Sequence, residues 1–268
     1  MAKANVVKKE ESQLPALSLD LMEGDAHSGL ENISQDDLAT PRLKVLMQLS
    51  PELEELEGAK AGMIFNTVTS DLYDGSNGIR VLPCAYQRQY VEWADRGQGS
   101  GAPINVYDAS SDILTKTTRD DNNKDRLENG NYVEDTGNHF VYILDENYNP
   151  IEQALITMKS TQKKKSKTWN SMIMSRRAQG KSGMFNPPSW STAYKLSTTK
   201  ESNSQNSWYG WVVEFDKFLN TQEHLKALET TQAFYQSAMK SDIFGKVDFA
   251  QENQAQGNNS PDKAGVPF

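Results

Sequence analysis

The residues best suited to binding chemistry lie between Met158 and Lys200, a stretch with ten Lys or Arg residues and no Asp or Glu. The whole chain of 268 residues has a formal net charge of −8, so this stretch carries +10 and the rest of the chain −18. Lys and Arg are the side chains that neutralise phosphates. We call these ten residues the basic island: Lys159, Lys163, Lys164, Lys165, Lys167, Arg176, Arg177, Lys181, Lys195 and Lys200.

Aromatic side chains lie within and just after the basic island. Cations combined with flat rings are typical of single-strand nucleic-acid grooves, because the cations pair with phosphates and the rings stack on bases. We predict that Phe185, Trp190 and Trp208 stack on bases. Trp169 recurs with Ile173 at helical spacing, so we assign it to the core. The alternative is a solvated basic face, which a short lysine run alone would favour.

A second set of candidate residues lies on a predicted strand from Ile79 to Trp93. Because side chains alternate between the two faces of a strand, Tyr86, Arg88 and Tyr90 share one face. This stripe fits a surface that stacks bases. It fits equally well a pair of tyrosines that are half-buried at a sheet edge.

No residue constellation in the sequence is typical of catalysis or of a metal site. The stretch from Asp145 resembles the start of a calcium loop, but Pro150 stands where that loop needs Gly and Ile156 where it needs Glu. There is no phosphate-binding Gly-Lys-Ser/Thr loop and no nucleophile elbow. The histidines have no metal-ligand spacing: His27, His139 and His224. We therefore predict a protein that is not an enzyme and that uses no cofactor and no metal.

The single cysteine, Cys84, excludes an intramolecular disulfide and suits a reducing cytoplasm. No apolar run is long enough to cross a bilayer, and no hydrophobic segment follows the N-terminal lysines as in a signal peptide. We expect no contact with a membrane.

The hydrophobic patterns predict a mainly β protein of the α+β class. Two β-branched or aromatic runs around a polar turn at 145–150 form a predicted β-hairpin, which leads directly into the basic island. Ser160 or Thr161 can cap a basic helix that runs to about Gln179 and ends at Gly180. A C-terminal helix is predicted from Thr221 to Lys240. Further strands are predicted at 42–49, 63–69, 79–93, 190–198 and 207–215.

Composition divides the chain into three parts. Residues 1–37 are rich in acids and are predicted to be a disordered N-terminal tail. Residues 38–249 form the predicted binding domain, with a flexible insertion at 95–135 that is rich in Gly, Ser, Asp and Asn. Residues 250–268 are a predicted disordered linker that ends in an apolar tip.

The body of the chain resembles a class of bacteriophage single-stranded DNA-binding proteins. The resemblance rests on Leu38-Ala-Thr-Pro-Arg-Leu-Lys-Val-Leu, on the strands from Gly62 to Trp93, on Ser191-Thr-Ala-Tyr-Lys-Leu-Ser-Thr and on Trp208-Tyr-Gly-Trp. It implies an OB-fold-like β-barrel, here with the basic helix inserted and the C-terminal helix added. The number of short predicted strands is compatible with that fold.

The C-terminal tip resembles that of bacterial single-stranded DNA-binding proteins. In that family an acidic segment ending in Ile-Pro-Phe docks onto replication and repair proteins. Here the chain ends in Val266-Pro267-Phe268, and Asp262 is followed by Lys263 where the family has further aspartates. The resemblance implies that Asp262, Val266, Pro267 and Phe268 bind partners such as a polymerase, a primase or helicase, or a nuclease.

Together these observations predict a protein that coats and protects single-stranded DNA during phage DNA replication or recombination, in the cytoplasm of the bacterial host. The alternatives are a strand-annealing or recombination-mediator protein and a structural or adaptor component of a phage particle; a homo-oligomer is compatible with each. The predicted nucleic-acid-binding residues are Lys159, Lys163, Lys164, Lys165, Lys167, Arg176, Arg177, Lys181, Phe185, Trp190, Lys195, Trp208, Tyr86, Arg88 and Tyr90.

Overall fold

The computed structural model describes residues 22–240 except 27, 34–36, 96 and 205, with side chains up to 236. The predicted C-terminal linker and tip, including Asp262, Val266, Pro267 and Phe268, lie outside the described residues, as does most of the predicted N-terminal tail.

Thirteen strands and three helices carry the argument that follows. The strands are β1 Leu43–Val45, β2 Ile64–Asn66, β3 Leu72–Tyr73, β4 Ile79–Trp93, β5 Asn105–Asp108, β6 Thr118–Arg119, β7 Asp125–Arg126, β8 Tyr132–Leu144, β9 Pro150–Met158, β10 Ala178–Gly180, β11 Gly183–Phe185, β12 Thr192–Ser202 and β13 Ser207–Phe218. The helices are α1 Glu52–Glu55, α2 Lys163–Met174 and α3 Leu225–Lys240. Short 3-10 turns occupy Ile113–Lys116, Ser160–Gln162, Ser189–Ser191 and Gln222–His224.

The main sheet is built around two long antiparallel strands, β4 and β8. Its order is β13-β12-β4-β8-β7-β6, with β5 also paired to β4 and β9 also paired to β8. The 15-residue strand β4 therefore serves two neighbours on one side, β12 at its beginning and β5 at its end. Its register shifts between Pro83 and Ala85, because a proline has no N–H to donate to the ladder.

The small sheet β1-β2-β3 and the turn after it contact β9 and β12 of the main sheet. On one side, Leu155 of β9 forms a bridge with Arg42 and donates its N–H to the Pro41 carbonyl at 2.8 Å. On the other side, Thr198 of β12 donates its N–H to the Gly75 carbonyl at 2.7 Å. The two sheets thereby enclose one apolar interior.

Helix α2 covers that interior, and α3 packs on the opposite face of the main sheet. Trp169 of α2 is fully buried and stacks on His139 of β8 with ring centroids 4.4 Å apart. It also meets Tyr194 of β12 edge-on at 5.8 Å. On the other face, Phe234 of α3 packs against a cluster that includes Phe140. The prediction that Trp169 is a core residue is confirmed.

The mainly β architecture, the basic helix between two strands and the C-terminal helix are all as predicted, and the main sheet is antiparallel. The basic helix ends earlier than predicted, at Met174, because the chain turns into the β10–β11 hairpin at Ala178. The segment 95–135, predicted to be a flexible insertion, contributes β5, β6 and β7. No helix in the described part of the chain is long and apolar enough to span a bilayer.

Candidate nucleic-acid interface

Three lysines of the basic island are neutralised inside the fold. Lys159 Nζ donates to Glu134 Oε2 at 3.0 Å, and Lys163 Nζ lies 2.7 Å from Asp135 Oδ1. Lys165 Nζ lies 2.7 Å from an oxygen of the Glu201 carboxylate. These acids come from β8 and β12, which the fold brings next to α2. Since their charges are already paired, the three lysines contribute less to an interface than their number suggests.

Four other cations of the island point to solvent. Lys164 and Lys167 lie on the exposed face of α2 together with Met174, which is 68% exposed. Arg177 follows the helix, where its Nη1 donates to the carbonyls of Met174 and Arg176. Lys181 is at the tip of the β10–β11 hairpin. Within the described residues none of these four forms an ion pair with an acid.

The two remaining cations of the island that are among the predicted nucleic-acid-binding residues, Arg176 and Lys195, have different surroundings. Arg176 is half-buried, and its guanidinium lies 3.8 Å from the ring centroid of Phe215. Lys195 points away from α2, because its neighbours Tyr194 and Leu196 face the interior and strand side chains alternate. The structure therefore separates Lys195 from the exposed cations of α2.

The predicted stacking residues near the basic island differ in exposure. Phe185 on β11 is 47% exposed, next to Lys181 in the same hairpin. Trp190 is half-buried in the turn before β12. Trp208 is also half-buried, and its Nε1 donates to Glu201 Oε2 at 3.0 Å. Phe185 therefore presents the most open ring of the three.

The two tyrosines of the predicted stripe on β4 differ in exposure. Tyr86 is 39% exposed, whereas Tyr90 is only 6% exposed and packs against Ile113 and Val133. The ring of Tyr90 is therefore not available to a base, because the segment 95–135 covers it. Arg88 donates through two nitrogens to the two Asp135 oxygens, each at 2.8 Å, and shares that carboxylate with Lys163.

An apolar groove of about 320 Å³ opens between β4, β8 and α2. None of the described residues that line it carries a charge: Pro83, Ala85, Tyr86, His139, Asn170, Ile173, Met174 and Ser189. Burial, together with the nearby charge of Lys163, lowers the pKa of His139 to about 3, so this ring is neutral. Its Nε2 is in a hydrogen bond of 2.8 Å with Ser166 Oγ.

The sequence did not reveal this groove. Its lining comes from two strands, one helix and the turn before β12, and no local pattern connects them. Asn170 was missed because a single polar residue on a helix carries no signal. Met174 was missed because a methionine at helical spacing reads as core packing. Within the described residues, no group of His, Cys, Asp or Glu is arranged to hold a metal ion.

Replacing Lys163 by alanine is expected to lower the stability of the fold. The variant leaves the half-buried Asp135 carboxylate with Arg88 as its remaining cation, a loss of about 1–3 kcal/mol. Urea denaturation of Lys163→Ala measures this loss, with Lys164→Ala as the control from the exposed face of the same helix. Equal stability of the two variants would contradict the assignment of Lys163 to the fold.

Comparison with known proteins gives one family. A family model described as Pam3 phage gp34-like protein matches residues 8–243 of the chain. No curated protein and no solved structure matches the chain. The match spans more than half of the sequence and includes both sheets, the basic helix and the groove. The chain therefore belongs to the Pam3 phage gp34-like protein family.

Proposed function

We propose that this protein binds single-stranded DNA during replication or recombination of a phage genome and has no catalytic activity of its own. The observation that carries the proposal is an uncharged apolar groove beside cations that have no acidic partner among the described residues. Phosphates need such cations, and bases need apolar or aromatic surface. The phage origin of the family is compatible with this role.

The exposed face of α2 supports a path for the DNA backbone. Lys164 and Lys167 are one helical turn apart, so their ammonium groups extend from the same face. Beyond the end of the helix, Asn186 Nδ2 donates to the Met174 carbonyl at 3.0 Å and ties the β10–β11 hairpin to α2. That hairpin adds a cation, Lys181, and an exposed ring, Phe185, next to the end of α2.

The proposal includes an OB-like fold and the recruitment of partner proteins. The curled antiparallel sheet, closed by the small sheet and covered by α2, is compatible with an OB-like barrel, the fold implied by the resemblance to phage single-stranded DNA-binding proteins. Recruitment of replication or repair proteins by the C-terminal tip rests on the sequence alone. The OB-like fold and the recruitment by the tip would both suit a protein that acts on DNA in the host cytoplasm.

A salt-titrated binding curve tests the proposal. We expect the full-length protein to bind an oligo-dT more tightly than duplex DNA of equal length, with log K falling by about 0.7 per phosphate contact for each unit of log salt. Fluorescence should be quenched through Trp190 and Trp208, since Trp93, Trp169 and Trp211 are buried. An RNA oligonucleotide of the same length measures the preference for DNA.

Two outcomes would redirect the proposal. Absence of binding and of quenching at low salt contradicts it and favours a structural or adaptor role, in which the cations meet an acidic protein surface. Faster pairing of complementary strands in an annealing assay would instead assign the same interface to a strand-annealing protein.

A further inference from the structure

We propose that the apolar groove between β4, β8 and α2 holds one unstacked nucleobase, which stacks on Tyr86 and forms hydrogen bonds with Asn170. This inference rests on the proposed binding of single-stranded DNA and names the subsite where a base is read.

The lining of the groove selects a neutral, flat ligand. Among the described residues it contains no charged side chain, and the imidazole of His139 is neutral. A phosphate in this groove would lose its hydration without gaining a cation, which is costly. A base has no net charge and two apolar faces, and a volume of about 320 Å³ has room for it.

Tyr86 is a rigid platform for such a base. One side of its ring meets His139 at a centroid distance of 4.9 Å, and His139 in turn stacks on the fully buried Trp169 at 4.4 Å. The hydrogen bond to Ser166 holds the imidazole in place. Since 39% of Tyr86 remains exposed, an aromatic surface is presented to the groove without any need to order it on binding.

The side chain of Asn170 has a hydrogen-bond donor and an acceptor that are not paired with another side chain in the described part of the protein. Its side chain is half-buried and lines the groove, and its amide has no side-chain hydrogen-bond partner there. A carboxamide offers both a donor and an acceptor, which matches the edge of an unpaired base. The Ser189 hydroxyl, also in the lining, donates only a long 3.4 Å hydrogen bond to the Cys84 carbonyl, so it can accept another.

Charge around the groove favours a nucleotide over an apolar side chain of a protein partner. Lys164 and Lys167 lie on the same helix as Asn170, and Arg177 follows it. If a base occupied the groove, the phosphates of its nucleotide would remain outside, on the side of these cations. An apolar peptide would make no use of them.

The test compares groove variants on oligo-dT, oligo-dC and oligo-dA. Tyr86→Ala should raise Kd by about 5- to 150-fold, the range for loss of one stacked base, with the salt slope unchanged. Asn170→Ala should remove the preference among the three oligonucleotides that the unaltered protein shows. Met174→Glu changes an exposed side chain at the mouth of the groove and should weaken binding. The matched control Ile151→Glu changes a side chain of similar exposure on β9 and should not.

A second measurement guards against misfolding of Tyr86→Ala. An oligo-dT that contains 5-iododeoxyuridine should, on irradiation of the unaltered protein, cross-link at Tyr86. Binding with cross-links elsewhere, or equal affinity for all three oligonucleotides, would overturn the base site while leaving DNA binding intact. Absence of any binding would overturn the proposed function. Binding of an apolar peptide that Met174→Glu abolishes, without an effect on DNA, would assign the groove to a protein partner.

Discussion

Replacing Lys164, Lys167 and Lys181 together by alanine is expected to weaken binding to single-stranded DNA by about 10- to 100-fold and to reduce the salt slope by about 2. The slope follows from three lost phosphate contacts at about 0.7 each for single strands. The three lysines are exposed and form no ion pair with a described acid, so the fold should tolerate their loss. Fluorescence anisotropy with labelled oligo-dT across a salt series measures both quantities.

The matched control removes three exposed lysines elsewhere. Lys60, Lys116 and Lys226 are exposed on other parts of the molecule, and their replacement by alanine changes the net charge by the same amount. If binding depends on the position of the charges, this control keeps the affinity and slope of the unaltered protein. An equal loss in both triple variants would show that total charge, and not the surface around α2, governs binding.

Removing the carboxylate of Glu92 is expected to destabilise the fold by about 3 kcal/mol. Glu92 is 2% exposed near the end of β4, and neutral groups donate four hydrogen bonds to it. The donors are Asn105 Nδ2 at 2.9 Å, Tyr107 Oη at 2.6 Å, Asn129 Nδ2 at 3.2 Å and Asn131 Nδ2 at 2.6 Å. Glu92→Ala leaves these donors without their acceptor, so the segment 95–135 should lose one of its anchors to the main sheet. Urea denaturation at pH 7 measures the loss.

The same carboxylate should make stability depend on acid. Burial opposes its ionisation, but the hydrogen bonds from the three Asn residues and Tyr107 outweigh burial and lower its pKa from 4.5 to about 2. A carboxyl with a lowered pKa stabilises the fold above its unfolded pKa, and this stability is lost as pH falls from about 4.5 through 2. The difference corresponds to about 3 kcal/mol.

The conservative variant Glu92→Gln separates charge from shape. It cannot ionise, so its stability should fall less between pH 5 and pH 2.5 than that of the unaltered protein. Parallel curves of stability against pH for the two proteins would contradict the assignment of the acid-sensitive part to Glu92.

The surroundings of Tyr90 and Glu92 could not be predicted from the local sequence pattern. Both lie on β4, a strand that the sequence predicted correctly, and both are covered by the segment 95–135. That segment is rich in Gly, Ser, Asp and Asn, a composition typical of mobile loops. Its strands β5, β6 and β7 have two to four residues each, too few to produce a recognisable alternation. Hence neither the burial of Tyr90 nor the donors around Glu92 could be predicted.

Local sequence patterns predicted the mainly β architecture, the β8–β9 hairpin that leads into a basic helix, and the core position of Trp169. These depend on hydrophobic periodicity and turn chemistry, which are local properties. Which members of the basic island are paired with acids depends instead on the tertiary structure. Glu134 and Asp135 reach Lys159 and Lys163 through the register of β8, and strand register depends on the whole sheet. The fold thereby pairs three lysines of the basic island with acids, and it leaves Lys164, Lys167, Arg177 and Lys181 without an acidic partner among the described residues.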